Sequence, residues 1–106
     1  MDDRELLELA AKESGIKFTW ADGPNESPVL DNGETWNPLT DDGDALRLAG
    51  KLGFSLDIDT DAKITGVINN ANIGLYCYYE ECNNDPYAAT RRAIVRAAAE
   101  IGKGME

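Results

Sequence analysis

The stretch W-N-P-L-T-D-D-G-D-A-L-R-L, residues 36–48, decides the fold of this chain. Asn37 before Pro38 predicts an Asx-type turn, because the short amide can bond the backbone ahead while the proline ring fixes φ. A residue before proline avoids the helical region, so Asn37 is expected to be extended. Thr40 or Asp41 then supplies the N-cap oxygen of a helix. The stretch therefore predicts a strand exit, a turn and a helix start in direct succession.

The helix that starts there is predicted over about residues 41–52. Its apolar positions recur at helical spacing and are Ala45, Leu46, Leu48, Ala49 and Leu52. Asp41, Asp42 and Asp44 lie at the positive end of its dipole. Gly53 is expected to end it in the left-handed conformation. The segment contains no recognisable catalytic group, so it predicts architecture and no reaction.

Helices are also predicted at about residues 3–14 and 86–102, and strands at about 16–20, 54–59, 63–68 and 73–80. Residues 21–37 are interpreted as an irregular connection with a brief edge strand around Val29. The last three strands are separated by short turns and should form an antiparallel meander. In the final strand, Tyr76 and Tyr78 point away from Cys77, and apolar residues on both faces favour a central strand.

The final helix is expected to begin at Pro86 with Asp85 as its cap, and to end at Gly102. Its predicted buried stripe is Tyr87, Arg91, Ile94, Val95, Ala98 and Ile101.

Two segments carry a resemblance to a known family. Residues 36–48, together with A-T-R-R-A-I-V-R-A-A-A-E-I-G at 89–102, resemble small tailed-phage proteins grouped as the phage ABA sandwich domain. The similarity spans most of the chain, from R-E-L-L-E-L-A-A at residues 4–11 to Gly102, and a looser one points to NinX-type phage proteins. Gly50 departs from the pattern, since a larger apolar residue is expected there.

This resemblance implies a phage or prophage protein with a single-domain α/β/α sandwich. That fold is of the α+β class, with three helices packed on a mainly antiparallel sheet of four to five strands. The family has no established activity, so it assigns no catalytic residue to this chain.

Composition excludes several classes of function. The 106 residues suffice for one domain, and 20 acids against 10 bases give a net charge of −10. Such acidity argues against nucleic-acid or anionic-membrane partners, and it suits either a basic protein partner or solubility alone. No apolar run has membrane-spanning length, and the N-terminus does not resemble a signal peptide. Two cysteines are too few for a disulfide scaffold. We therefore expect the protein to be located in the cytoplasm of a bacterial host.

Two acidic clusters are candidate metal sites. Asp57, Asp59 and Asp61 alternate like the first ligands of a calcium loop, but Ala62 and Ile68 occupy the positions of its glycine and its glutamate. A solvated strand face is the simpler interpretation. Helix capping likewise accounts for the aspartates of residues 41–44. No metal and no cofactor are therefore expected.

Histidine is absent, which removes the commonest general base and metal ligand, and Cys77 and Cys82 lack a C-x-x-C spacing. Cys77 is interpreted as a core residue and Cys82 as a loop residue.

The candidate binding residues are basic, aromatic or polar. They are Arg91, Arg92, Arg96, Tyr76, Tyr78, Trp36 and Asn37. The arginines either pair internally with acids of the sheet or of the preceding helix, or form an anion site. Trp36 is expected to anchor the core beside the Asn37 turn, whereas the tyrosines either pack under a helix or form an exposed platform.

The leading hypothesis is a small acidic phage or prophage accessory protein that binds an unidentified host or phage protein without catalysis. The alternative is a protein that binds a small anion or a nucleotide through the basic face of the last helix. A carboxylate enzyme fits less well, because histidine, an activated serine and a complete set of metal ligands are all missing from the sequence. A DNA mimic also fits less well, because the acids cap helices and line turns instead of filling long exposed helical rows. Self-association is left undecided.

Overall fold

The computed structural model describes residues 3–20, 28–30, 33–68 and 74–103. Its helices are α1 (Asp3–Ser14), α2 (Asp42–Leu52) and α3 (Pro86–Lys103). Its strands are β1 (Phe18–Trp20), β2 (Pro28–Leu30), β3 (Ser55–Asp59), β4 (Ile64–Ile68) and β5 (Gly74–Tyr78), with a 3₁₀ turn at Tyr79–Cys82. The predicted helices and strands are confirmed, with small shifts at their ends. Residues 21–27 and 31–32 of the predicted irregular connection, the predicted turn at 69–72 and Ile73 lie outside the described residues.

The start of α2 follows the sequence prediction closely. Asp41 is the N-cap in place of Thr40, and its carboxylate accepts the Gly43 N–H at 2.8 Å. Asn37 forms the predicted Asx turn, in which its side-chain oxygen accepts the Leu39 N–H at 3.1 Å. Local hydrogen bonds among residues 37–44 therefore fix the direction in which α2 leaves the turn.

Helix ends follow the same local rules, with one exception. Gly15 and Gly53 have φ values of +72° and +70°, as expected of left-handed residues that end helices. Asp85 caps α3 by accepting the Tyr87 N–H at 2.9 Å. Gly102 was predicted to end α3, but it lies inside the last turn, and α3 continues to Lys103. Gly102 matters for packing, because at this residue α3 lies directly against the backbone of Leu9 in α1.

The strands form two antiparallel sheets instead of one sheet of four to five strands. β1 pairs with β2, and β3, β4 and β5 form a separate meander with β4 in the middle. The meander was predicted, whereas the central position of β5 was wrong, since among the described strands β5 pairs with β4 alone. The aromatic residues that suggested a central strand are tyrosines, whose hydroxyl ends tolerate water.

Helix α3 occupies the middle of the molecule. One side of it packs on β4 and β5, while α1 and α2 pack against it elsewhere. The core therefore lies around α3 and is rich in small residues, which are Ala10, Ala11, Ala45, Ala49, Ala93, Ala98 and Ala99. Of the described helices, α3 alone has extensive contact with the three-stranded sheet, so the third layer of a sandwich is not formed by these residues.

An aromatic cluster attaches the small sheet to α1. The Phe18 ring lies 5.2 Å from that of Trp20 and 5.5 Å from that of Trp36. The Trp20 indole N–H donates to Glu8 at 3.0 Å, and the Arg4 guanidinium lies 4.5 Å from the Trp20 ring.

None of the described helices has both the length and the apolar character required to cross a membrane.

Candidate functional site

The arginines of α3 do not form one exposed basic face. Arg91 donates through Nε to the Leu39 carbonyl at 2.9 Å and through a terminal nitrogen to Asp42 at 2.5 Å. Its side chain is 17% exposed, so this guanidinium joins α3 to the start of α2. The predicted internal pairing with the preceding helix is confirmed for Arg91.

Arg92 and Arg96 line the same open cavity, of about 600 Å³, together with Leu6, Glu81 and Glu100. Arg92 donates to Asp3 of α1 at 3.2 Å. Arg96 donates to the Cys77 sulfur at 3.4 Å and has no ion pair among the described residues. Two carboxylates on the cavity wall balance the two guanidiniums, which weakens the case for binding an anion there.

Trp36 and Asn37 have structural roles. Trp36 is 4% exposed and belongs to the core, so the predicted core anchor is confirmed. The Asn37 backbone N–H donates to the buried carboxylate of Asp44 at 2.9 Å, while its side chain serves the turn. The Trp36 side chain is thus buried in the core, and the Asn37 side-chain oxygen is engaged in the turn.

The two tyrosines of β5 lie on an open face of the three-stranded sheet. Tyr76 and Tyr78 are each 56% exposed, and Ile68 of β4 is exposed beside them. A Cβ built at Gly66 would lie 2.7 Å from the Tyr76 ring, so this ring lies directly over the glycine of the central strand. We call this surface the open face. It matches the exposed platform that was one of two predicted alternatives.

One aspartate of the acidic run at residues 57–61 has a structural function. Asp59 accepts the N–H groups of Asp61 and Ala62 at 3.0 and 2.9 Å, which closes the turn between β3 and β4. Within the described residues, no group of three or more acidic, cysteine or histidine side chains is arranged to hold a metal ion.

Cys77 is a buried core residue, as predicted, and Cys82 lies in the 3₁₀ turn instead of a loop. Burial raises the pKa of the Cys77 thiol, although the Arg96 guanidinium opposes that shift. The thiolate is the reactive form, so burial and a raised pKa both reduce the reactivity of Cys77.

We therefore expect iodoacetamide at about pH 8 to label Cys82 in the native protein while Cys77 reacts only after unfolding. Peptide mass spectrometry at timed intervals measures both sites. In a Cys82→Ser variant, the native protein should be almost unreactive and become reactive in denaturant. Labelling of Cys77 and Cys82 at similar native rates would contradict the burial argument.

An apolar groove lies between α2, β3 and α3, and the sequence did not predict it. Its cavity of about 390 Å³ is lined mainly by apolar side chains. Those exposed most are Leu46 (65%), Leu56 (36%), Ile58 (50%) and Tyr87 (68%). Leu46 and Tyr87 belong to the predicted apolar stripes of their helices, and Leu56 and Ile58 alternate with polar residues in the predicted strand at about 54–59, as in a half-buried strand. The sequence pattern placed these four residues on apolar faces. The expectation that those faces are buried is wrong at these positions, because all four side chains are exposed.

The groove has a definite construction. Leu56 and Ile58 of β3 form its floor, Leu46 of α2 one wall, and Tyr87 of α3 the other. The ion pair of Arg91 with Asp42 joins the two helices at the groove lining. This ion pair thus connects α2 and α3 beside the groove.

Comparison with protein-family models, with curated proteins and with solved structures finds no match to this chain.

Proposed function

We propose that this chain is a small acidic accessory protein of a phage or prophage that acts in the host cytoplasm by binding another protein, without catalysis. The resemblance of residues 36–48 and 89–102 to phage proteins supports the origin. The observation that carries the binding function is the apolar groove, where four large side chains converge in the open on a chain of net charge −10.

Water contact with such side chains is unfavourable by about 25 cal/mol for each Å² of apolar surface. Scattered exposed apolar residues are ordinary on a protein surface, but contiguous patches mark interaction sites. Leu46, Ile58 and Tyr87 belong to three different elements and line one cavity. Their convergence thus favours a binding surface over chance exposure.

The polar groups support a non-catalytic mode of action. Asp41, Asp59 and Asp85 accept backbone N–H groups at a helix cap, a turn and a second helix cap. Arg91 and Arg92 are engaged with Asp42 and Asp3. These five polar side chains are thus occupied with holding the fold.

The open face supports the same proposal. The resemblance implies an α/β/α sandwich, in which both sheet faces are covered, whereas α3 covers one face and Tyr76, Tyr78 and Ile68 are exposed on the other. We propose that a partner protein, or a second copy of the chain, completes the third layer in the assembled state.

The anion-binding alternative has less support. Arg91 is tied to Leu39 and Asp42, and Arg92 and Arg96 share their cavity with Glu81 and Glu100.

Affinity capture from a lysate of the bacterial host tests the proposed function. We expect the wild-type protein to retain a host or phage protein that Leu46→Ser and Tyr87→Ser variants lose, because both side chains are exposed walls of the groove. Quantitative mass spectrometry compares the captured proteins. Lys51→Ser, at an exposed position of the same helix as Leu46, is the matched control and should retain the partner.

Identical capture by the wild-type protein and both groove variants would show that the groove does not bind a partner. An Ile68→Ser variant reports separately on the open face. If it alone loses the partner, protein binding stands but the groove is not its site.

A further inference from the structure

We propose that β3 captures an extended segment of a partner protein by strand addition, and that this segment alternates apolar and basic residues. The inference rests on the proposed function, since it assigns the chemistry of the partner to the apolar groove. It is carried by three features of β3, which are its free edge, its two different faces and its charge.

The edge of β3 that faces away from β4 is unpaired within the described part of the chain. All five residues from Ser55 to Asp59 are exposed. The backbone N–H and C=O groups along such an edge are a template for another strand. The two other strands of this sheet are poorer sites for strand addition beside the groove. β4 is paired on both sides, and β5 lies at the opposite edge of the sheet from the groove.

The register shows that the two faces of β3 differ in chemistry. Leu56 pairs with Val67 and Ile58 with Thr65, both buried beneath α3, so Leu56 and Ile58 share the helix-covered face and floor the groove. Asp57 pairs with Gly66, which lies under the Tyr76 ring, so Asp57 points to the open face. Successive residues of β3 thus alternate between an apolar and an acidic environment.

A strand added beside β3 would meet that alternation. Every second side chain would extend the apolar floor toward Leu46 and Tyr87. The intervening side chains would lie beside Asp57 and Asp59, where a lysine or arginine is favoured and a carboxylate is repelled. The fitting segment is therefore apolar and basic in turn.

Charges around the groove agree with this pattern. Asp59 and Asp61 flank the lining residue Thr60, and Asp85 precedes the lining residue Pro86. The one base that lines the groove, Arg91, is already paired with Asp42. Even with Lys63 of the same turn counted, the charges beside the groove are mainly negative, which attracts a basic segment.

The same charges disfavour a second copy as the occupant. An antiparallel pairing of β3 with β3 centred on Asp57 would place two aspartates directly opposite each other. Like charges in that position destabilise a strand pair, and each copy also carries a net charge of −10.

A labelled peptide of about nine residues, in which valine and lysine alternate, tests the proposal by fluorescence anisotropy with the full chain. We expect saturable binding at least about tenfold tighter than that of the isomeric peptide with all valines at one end. Equal affinity for the two isomers, or no saturable binding of the alternating peptide, would overturn strand addition.

Two substitutions on β3 examine its faces separately. Asp57→Lys should weaken binding of the valine–lysine peptide about tenfold. The same substitution should improve binding of a valine–glutamate peptide, which the wild-type protein should not bind. Ile58→Ser should weaken the valine–lysine peptide, whereas Ile68→Ser on the open face should not. Loss of binding in Ile68→Ser but not in Ile58→Ser would place the peptide on the open face and refute the inference.

Amide hydrogen exchange with and without the peptide supplies the structural readout. Added protection should appear in β3, and methylation of alternate peptide nitrogens should abolish both protection and binding. Protection of β3 that depends on protein concentration without peptide, with a dimer in sedimentation, would identify a second copy as the occupant and overturn the proposal.

The outcomes also separate the inference from the proposed function. If the groove variants lose a captured partner but the alternating peptide has no advantage, the protein binds through its groove by another mode. If the peptide binds as expected but no captured partner depends on Leu46, Tyr87 or Ile68, β3 has the proposed chemistry and the proposed function fails.

Discussion

Replacing Gly102 by alanine is expected to lower the free energy of unfolding by about 3 kcal/mol. A Cβ at this position would lie 2.1 Å from the Leu9 carbonyl oxygen and 3.0 Å from its carbon. Both are backbone atoms of α1, so relief requires that α1 and α3 move apart. That movement would loosen the alanine-rich contact of Ala10, Ala98 and Ala99, which are fully buried.

Gly50→Ala is the matched control, because it makes the same substitution within a helix where there is space. No heavy atom lies within 4 Å of a Cβ built at Gly50, which is exposed on α2. Since alanine has the higher helix propensity, Gly50→Ala should raise stability by about 0.5–1 kcal/mol. Urea unfolding followed by circular dichroism measures both. Effects of the same sign would contradict the packing argument.

These two glycines show what the sequence could and could not predict about the helices. In the sequence Gly50 stands where a larger apolar residue is expected, and the structure has open space for a side chain there. It assigned Gly102 to a helix end because glycine after an apolar stripe is the usual stop signal. A close approach to Leu9 leaves no local signal, since the two residues are far apart in the chain.

Features set by neighbouring residues were predicted well. The Asx turn of Asn37, the cap of Asp41, the left-handed Gly53 and the cap of Asp85 each depend on contacts within a few residues. The helices and strands therefore begin and end close to their predicted positions.

Features set by distant neighbours were predicted less well. Periodicity shows that Leu46 and Tyr87 share faces with buried residues, but it does not show whether another element covers them. Within the described residues no element covers this side of β3, so their faces form a groove. The division of the strands into two sheets has the same origin, because pairing between distant strands leaves no signal in either strand alone.

Among the candidate binding residues, the sequence separated structural from exposed side chains in part. Trp36 and Arg91 were expected inside, and both are largely buried. For Tyr76 and Tyr78 the sequence predicts either packing under a helix or an exposed platform, and the alternation of side chains along a strand cannot distinguish the two. In the described structure no helix covers them, and both side chains are exposed. Ile58 shares its strand face with Leu56, and only the tertiary arrangement makes that face a binding surface.

Replacing Asp44 by alanine is expected to lower the free energy of unfolding by about 2 kcal/mol, the second large effect. Its side chain is 9% exposed and accepts the Asn37 N–H at 2.9 Å and an Arg47 N–H at 2.6 Å. Without the carboxylate, the part-buried Asn37 N–H loses its acceptor. The turn would then lose its attachment to the first turn of α2, although Asp41 still caps the helix.

The backbone hydrogen bond should account for most of this effect, and the ion pair for little. Arg47 is 73% exposed, so water screens its attraction to Asp44, and Arg47→Ala should cost at most about 0.5 kcal/mol. Asp57→Ala, at an exposed aspartate of β3, should change stability by less than about 0.5 kcal/mol. Urea unfolding of the three variants and amide exchange at Asn37 test the assignment. If Arg47→Ala proved as costly as Asp44→Ala while Asn37 stayed protected in both, the ion pair would be what holds the turn to α2.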